Sequence, residues 1–416
     1  MAYVTSSAAP IGALGDLLAA AVNANVGAWT LSPIASEIET QTIGWIRESI
    51  GCQESYGGLL VSGGNMANFV GFLAARKSKS NWDIREKGAR GGEQALRLYA
   101  SKETHTWVQK AADLFGLGTD AITWISVDDD QKMNLPELER KIAEDQEAGH
   151  RPFFVVGSAG TVSTGAVDPL QDIARICRDN DLWFHVDGAY GAFAAMLPEA
   201  SADLRALAQA DSIALDPHKW LYTPLEAGCA LVRDPQCLID AFSFNPEYYL
   251  FDQDDSSADS DEAPPLNYYE LGPQNSRGFR ALKVWLAWQQ AGREGYIRMI
   301  RDDIALAKAL YERVEAHPEL EAFTRNLSIS TFRYVPDTIP NEVEDREEWL
   351  NDLNRDLLKK LQSEGKVYLS NAVIGGRFAL RACIVNFRTT LKEIEPLPEL
   401  VACAGRELYA VIRQSE

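Results

Sequence analysis

Short apolar runs alternate with segments of helical spacing through the middle of the chain, and this alternation restricts the fold more than any other feature. Phe153-Phe154-Val155-Val156 is a strand-like run that ends in a cluster of Gly, Ser and Thr. Over 168–180 the apolar residues Leu170, Ile173, Ala174 and Cys177 recur at helical spacing. Asp168 reads there as the N-cap, with Pro169 at the first helical position. Residues 182–187 predict the next strand, 202–210 a helix, and 212–215 and 230–232 two further strands. Apolar strands separated by helices imply βαβ units and a largely parallel sheet. In such sheets ligands lie beyond the carboxyl ends of the strands.

The pattern changes after about residue 290. A helix at 296–316 is followed by a strand at 327–334 and an acidic helix from about 343. Strand-like runs at 367–370 and 378–387 and a last helix complete a small α/β domain of mostly antiparallel strands. Near the start, residues 7–29 are rich in Ala and Leu but lack a preceding positive charge, and Asp16, Asn23 and Asn25 interrupt them. That pattern predicts an amphipathic helix packed on the body or on a partner subunit, not a leader or a membrane span. Residues 78–93 predict a surface excursion. Residues 252–262 hold six acids, no base and three serines, which predicts a flexible loop.

With 40 basic and 60 acidic residues, the net charge is −20. This argues against nucleic acid and anionic membranes as partners. The six cysteines are scattered, the closest pair eight residues apart, so no metal-binding spacing is present. They read as buried or inert thiols of a reduced, cytoplasmic protein.

Three predicted strand ends carry polar residues. They are Gly160-Thr161-Val162-Ser163-Thr164-Gly165, His185-Val186-Asp187-Gly188-Ala189-Tyr190, and Asp216-Pro217-His218-Lys219-Trp220. In a parallel sheet they converge on one cleft. A lysine there can form a Schiff base. An aspartate there can hold a pyridine nitrogen protonated. Together they meet the demands of pyridoxal 5'-phosphate, whose ring acts as an electron sink. Ser62-Gly63-Gly64-Asn65 before a helix start offers backbone N–H groups to the phosphate. Taken singly, each residue has a plainer reading: Asp187 as a turn residue, Asn65 as a helix cap, His105 as a helix-start histidine, Lys219 as a surface lysine, Tyr268 and Tyr269 as packing aromatics. Their joint order favours a site.

From about Tyr3 to the last helix, the sequence resembles the group II pyridoxal-phosphate-dependent amino-acid decarboxylases, which include the aromatic-L-amino-acid and glutamate decarboxylases. Asp216-Pro217-His218-Lys219-Trp220, His185 through Tyr190, and Phe279-Arg280-Ala281-Leu282-Lys283-Val284-Trp285 carry the resemblance most specifically. Ser32-Pro33, Glu37-Ile38-Glu39 and Gly64-Asn65-Met66-Ala67-Asn68 support it. The resemblance implies the α/β fold of type I transferases, with a mostly parallel seven-stranded sheet in a large domain and a small C-terminal α/β domain. Residues 1–40 would form a segment contacting the dimer partner and the pocket, 41–292 the large domain and 293–416 the small one.

It further implies that Lys219 forms the Schiff base, Asp187 pairs with the ring nitrogen and Ala189 packs on the ring. His105 would stack on the outer ring face and Thr161 lie near the ring substituents. Gly64, Asn65, Asp216 and His218 match phosphate-site positions. A loop tyrosine that returns a proton after CO2 leaves lies 11 residues before Phe279 in the family pattern, which gives Tyr268, with Tyr269 one residue away. A tyrosine there favours an amine product over an aldehyde. Catalysis would then rest on Lys219, Asp187, His105 and Tyr268, in a cytoplasmic homodimer with shared active sites acting on an L-amino acid, aromatic ones favoured. Aldehyde formation, transamination and silent cofactor binding are the alternatives. Relatives begin with an additional helical segment, and here Met1 falls almost at its end. Gly27 and Ala28 stand where aromatic-specific relatives place a bulkier residue, which leaves the substrate side chain open.

Overall fold

The computed structural model describes residues 3–244, 265–339 and 344–415; the acidic run 252–262 lies outside them. Seven strands form the larger sheet: β1 (Gly57–Val61), β2 (Leu96–Ser101), β3 (Ile122–Ile125), β4 (Arg151–Ser158), β5 (Trp183–Asp187), β6 (Ser212–Leu215) and β7 (Gly228–Val232). Their spatial order is β1-β7-β6-β5-β4-β2-β3. From β3 to β6 every pairing is parallel. β7 runs antiparallel to both β6 and β1. β1 therefore points the same way as β6, and β7 alone is reversed. β6 and β7 are buried along their whole length. Coverage of both faces is what strands with near-continuous apolar runs require.

Three helices begin the chain's helical layer: α1 (Pro10–Val22), α2 (Pro33–Ser49) and α3 (Gly64–Lys79). α1 lies on the helix Ala281–Glu315 with its glycine face inward, so close that a Cβ on Gly15 would stand 2.9 Å from Lys283 Cα. Its outer face leaves Leu14, Leu17, Leu18 and Val22 exposed. Helicity starts at Ala281, earlier than the 296–316 expected, and breaks at Gly292, where φ is +65°. Among the described residues, no helix is long and apolar enough to cross a membrane.

A second sheet, in the order β10-β11-β9-β8, is antiparallel throughout: β8 (Leu320–Asn326), β9 (Ile329–Tyr334), β10 (Ser370–Ile374) and β11 (Arg377–Cys383). β8 was not expected. Most of its residues are half-buried and it slips register between Ala322 and Thr324, so it lacks a clean alternation. The strand expected at 367–370 starts instead at Ser370.

Asp168 corrects another expectation. It does not cap the helix Leu170–Asp179. Its carboxylate instead accepts N–H groups from Met133 (2.8 Å) and Ser158 (2.7 Å), tying the end of β4 to the loop after β3. Burial raises its pKa from 3.8 to about 6, against the lowering pull of those two donors. Between these values the folded chain holds a proton that the unfolded chain has released, so stability falls as pH rises across that window. Unfolding free energies at pH 4.5 and 6.5 should show this slope, and Asp168→Asn should remove its own share of it.

A buried ion pair joins the front of the molecule. Arg277 bonds both carboxylate oxygens of Glu39 on α2, and also Val26 O (2.9 Å) and Leu60 O (2.8 Å). Glu39 in turn accepts the Leu60 N–H of β1 at 2.9 Å. Neither side chain reaches solvent appreciably. Removing one partner leaves an uncompensated buried charge. Glu39→Ala should therefore lower stability by about 3–5 kcal/mol in chemical denaturation.

Candidate active site

Each contributing segment sits where it does because its strand points the same way. β1 runs into Ser62-Gly63-Gly64 and then α3. Gly63 adopts φ +87°, and a Cβ on Gly228 of β7 would stand 2.5 Å from the Gly63 carbonyl carbon. Only a glycine pair permits this approach. The turn presents the first N–H groups of α3, which have no acceptor inside the helix, to the space above the sheet. β2 leads to Glu103 and His105, β4 to Thr161, β5 to Asp187 and β6 to Asp216 and Lys219.

These ends enclose a cavity of 210 Å³. Gly64, Asn65, His105, Thr161, Asp187, Ala189, Asp216, His218 and Lys219 all line it, so the nine residues proposed to hold a cofactor are brought together. Tyr268 is not among the lining residues. Its ring is buried under the Arg277 guanidinium (4.7 Å), and its hydroxyl lies 2.9 Å from Thr40 Oγ1. Within one protomer Tyr268 therefore packs against α2, away from the residues that line this pocket. Tyr269 donates its N–H to Gly27 O and is also outside the lining.

Lys219 Nζ pairs with Asp216 Oδ2 at 2.9 Å. Asp216 is buried, and its Oδ1 has no hydrogen-bond partner among the described residues. His218 Nδ1 donates to Ala227 O at 2.7 Å, since a carbonyl can only accept. The lysine turn is anchored from behind. Trp220 Nε1 (2.9 Å) and Tyr222 OH (2.8 Å) both donate to Asp303 Oδ2, on the helix Ala281–Glu315. Burial raises the Asp303 pKa to about 6, opposed by these donors.

Asp187 accepts Trp107 Nε1–H on Oδ2 (2.8 Å) and the Ala189 N–H on Oδ1 (3.2 Å). Below it lies a second layer. Asn68 Nδ2 donates to Gly64 O (2.8 Å), so its Oδ1 must accept from His185 Nε2, 2.7 Å away. His185 Nδ1 then accepts from Ser212 Oγ, also at 2.7 Å. Burial pushes the His185 pKa down to about 4 despite the pull of Asp187, so the ring is neutral. The His105 ring is crowded enough for desolvation to lower its pKa; Asp187 acts in the opposite sense. Its Nδ1 accepts the Trp107 N–H at 3.3 Å, which leaves the proton on Nε2.

Sequence reasoning missed Trp107, the functional use of Asn68, and Glu103 in the lining. Asn68 had a usable signal, one helical turn after Gly64. Trp107 had none, because its neighbour in space is 80 residues away in sequence.

The donor set suits pyridoxal phosphate. A glycine turn that a Cβ would fill faces the anion end, an unpartnered carboxylate oxygen and a lysine lie beside it, and a fixed carboxylate stands on the adjacent strand.

Residues 1–335 match the pyridoxal-dependent decarboxylase conserved domain. The chain is 35% identical over 395 residues to an aromatic-L-amino-acid decarboxylase of Bacillus atrophaeus, covering 95% of this chain and 78% of that one. It is 31% identical to a phenylacetaldehyde synthase of Arabidopsis thaliana, over 92% of this chain and 76% of that one. Tryptophan decarboxylase of Catharanthus roseus in complex with L-tryptophan superposes with a TM-score of 0.85 at 28% identity, covering 98% of this chain and 83% of that one. Both the site and these similarities lead to one assignment: the chain belongs to the pyridoxal-dependent decarboxylase family.

Proposed function

We propose that the chain decarboxylates an L-amino acid, with aromatic ones favoured, to the amine and CO2. The observation that carries this reading is the placement of Lys219 and Asp187 at the ends of neighbouring parallel strands, facing the glycine turn of α3. The relatives named for aromatic amino acids support the substrate class. Pyridoxal phosphate, when bound, supplies an electron sink for the pair left as CO2 departs.

The remaining work falls to the chain. Gly64, Asn65 and His218 would hold the phosphate, aided by the N-terminal field of α3. Asp187 would hold a proton on the ring nitrogen. Thr161 and Ala189 would flank the ring, and His105 would cover it. Lys219 must lose its proton before it can act as a nucleophile, and Asp216, at 2.9 Å, is the adjacent acceptor. Tyr268 could serve this pocket only by leaving Thr40 and Arg277. Within one protomer, His105 is thus the group best placed to return a proton to the substrate carbon. Among the described residues, the pocket-lining side chains carry three carboxylates and no arginine, which disfavours substrates with acidic side chains.

We also propose a homodimer, supported by the outward row Leu14, Leu17, Leu18 and Val22 on α1. The free cysteines support action in the cytoplasm. Similarity to phenylacetaldehyde synthases supports a second reading, oxidative release of an aldehyde.

Product analysis with a panel of L-amino acids and added cofactor separates the two. Amine and CO2 in equal amounts are expected; aldehyde with ammonia and peroxide would establish the second reading. Borohydride treatment should leave a pyridoxyl group on Lys219, and Lys219→Ala should abolish both the label and CO2 release. Asp187→Asn should lower kcat by about 10²–10³-fold, because the charge opposite the ring nitrogen is lost.

A further inference from the structure

The floor of the pocket is a continuous path between its two ends. At the anion end, Gly64 O accepts from Asn68 Nδ2. Asn68 Oδ1 accepts from His185 Nε2. The Trp107 ring meets His185 edge-on, with centroids 5.5 Å apart and planes at 75°, and its Nε1–H ends on Asp187 Oδ2 at 2.8 Å. Trp107 and His185 are fully buried, and Phe154 packs on both. Each side chain in the path is therefore held in one arrangement.

A carboxylate has lone-pair sites in several directions, and an exposed one would turn freely. Here Ala189 N–H takes one site on Oδ1 and Trp107 Nε1–H one on Oδ2. Both donors thus fix the direction in which the carboxylate faces the pocket. Phenylalanine would fill the same space and donate nothing. We propose that Trp107 is a positioning residue that fixes Asp187 at a set distance from the α3 anion turn, through the Asn68–His185 floor, so that phosphate and ring nitrogen are bound together. The proposal rests on the cofactor reading above and adds the residue that couples its two ends.

The test uses the full-length protein and two probes, pyridoxal 5'-phosphate and inorganic phosphate. Trp107→Phe should weaken pyridoxal-phosphate binding by about 10–100-fold, the range for a lost hydrogen bond to a charged acceptor. It should leave the inhibition constant of inorganic phosphate against cofactor binding unchanged, because the anion turn keeps its own contacts. It should also change the visible absorption of bound cofactor. In an Asp187→Asn background the same change should have no further effect on affinity. Trp107→His, which can keep an N–H donor, should recover part of the loss.

Wild-type affinity in Trp107→Phe, or equal losses in both backgrounds, would overturn the proposal. A parallel loss of phosphate affinity would do the same, by showing general loosening of the site. If pyridoxal phosphate binds neither wild type nor variant, the cofactor reading itself fails; normal wild-type binding with an unaffected variant sinks only the role of Trp107.

Discussion

Strand direction is the constraint on which the rest of this molecule depends. Because β1, β2, β4, β5 and β6 share one sense, the segments that follow them emerge on one edge of the sheet. A glycine turn, a histidine, a carboxylate and a lysine, distant from one another in sequence, meet there. β7 is the exception that completes the arrangement. By running backwards between β6 and β1, it lets the lysine turn and the glycine turn become neighbours at the same edge.

Electrostatics then set how these groups sit. Asp216 is buried with one oxygen unpartnered, and Lys219 is the cation that offsets its desolvation. Glu39 and Arg277 solve the same problem elsewhere, with more hydrogen bonds and no access to the pocket. The first pair is incompletely satisfied beside a cavity; the second is heavily bonded within the packing. That contrast distinguishes the pair beside the cavity from the pair within the packing more clearly than carboxylate burial does, since Asp216 and Glu39 are both nearly closed to solvent.

Much of this was legible in the sequence. Apolar runs such as Phe153-Phe154-Val155-Val156 gave away the parallel strands because burial on both faces leaves no room for polar residues. The convergence of Asp187, Lys219 and the Gly64 turn on one pocket was legible because each follows a strand. Three features were not. β8 lacks alternation, because most of its residues are only half-buried and its register slips. Asp168 has the side chain of a helix cap and stands before a proline, yet long-range backbone donors claim its oxygens. Tyr268 matched a family spacing, but spacing along a chain does not report which neighbour a ring will pack against. For Asp168 and Tyr268 a deciding contact lies far away in sequence, at Met133 and at Thr40.

The meeting of Gly63 and Gly228 has a consequence for how such a protein can change over generations. Any side chain at residue 228 would collide with the backbone of residue 63, and any at 63 would strain a left-handed φ. The two positions constrain each other across strands, so no sequence of single substitutions can widen the turn while keeping it intact. Drift toward new substrates must enter elsewhere in the lining, at residues such as Glu103 and Val162. There, replacement alters the shape of the guest without disturbing the grip on the anion.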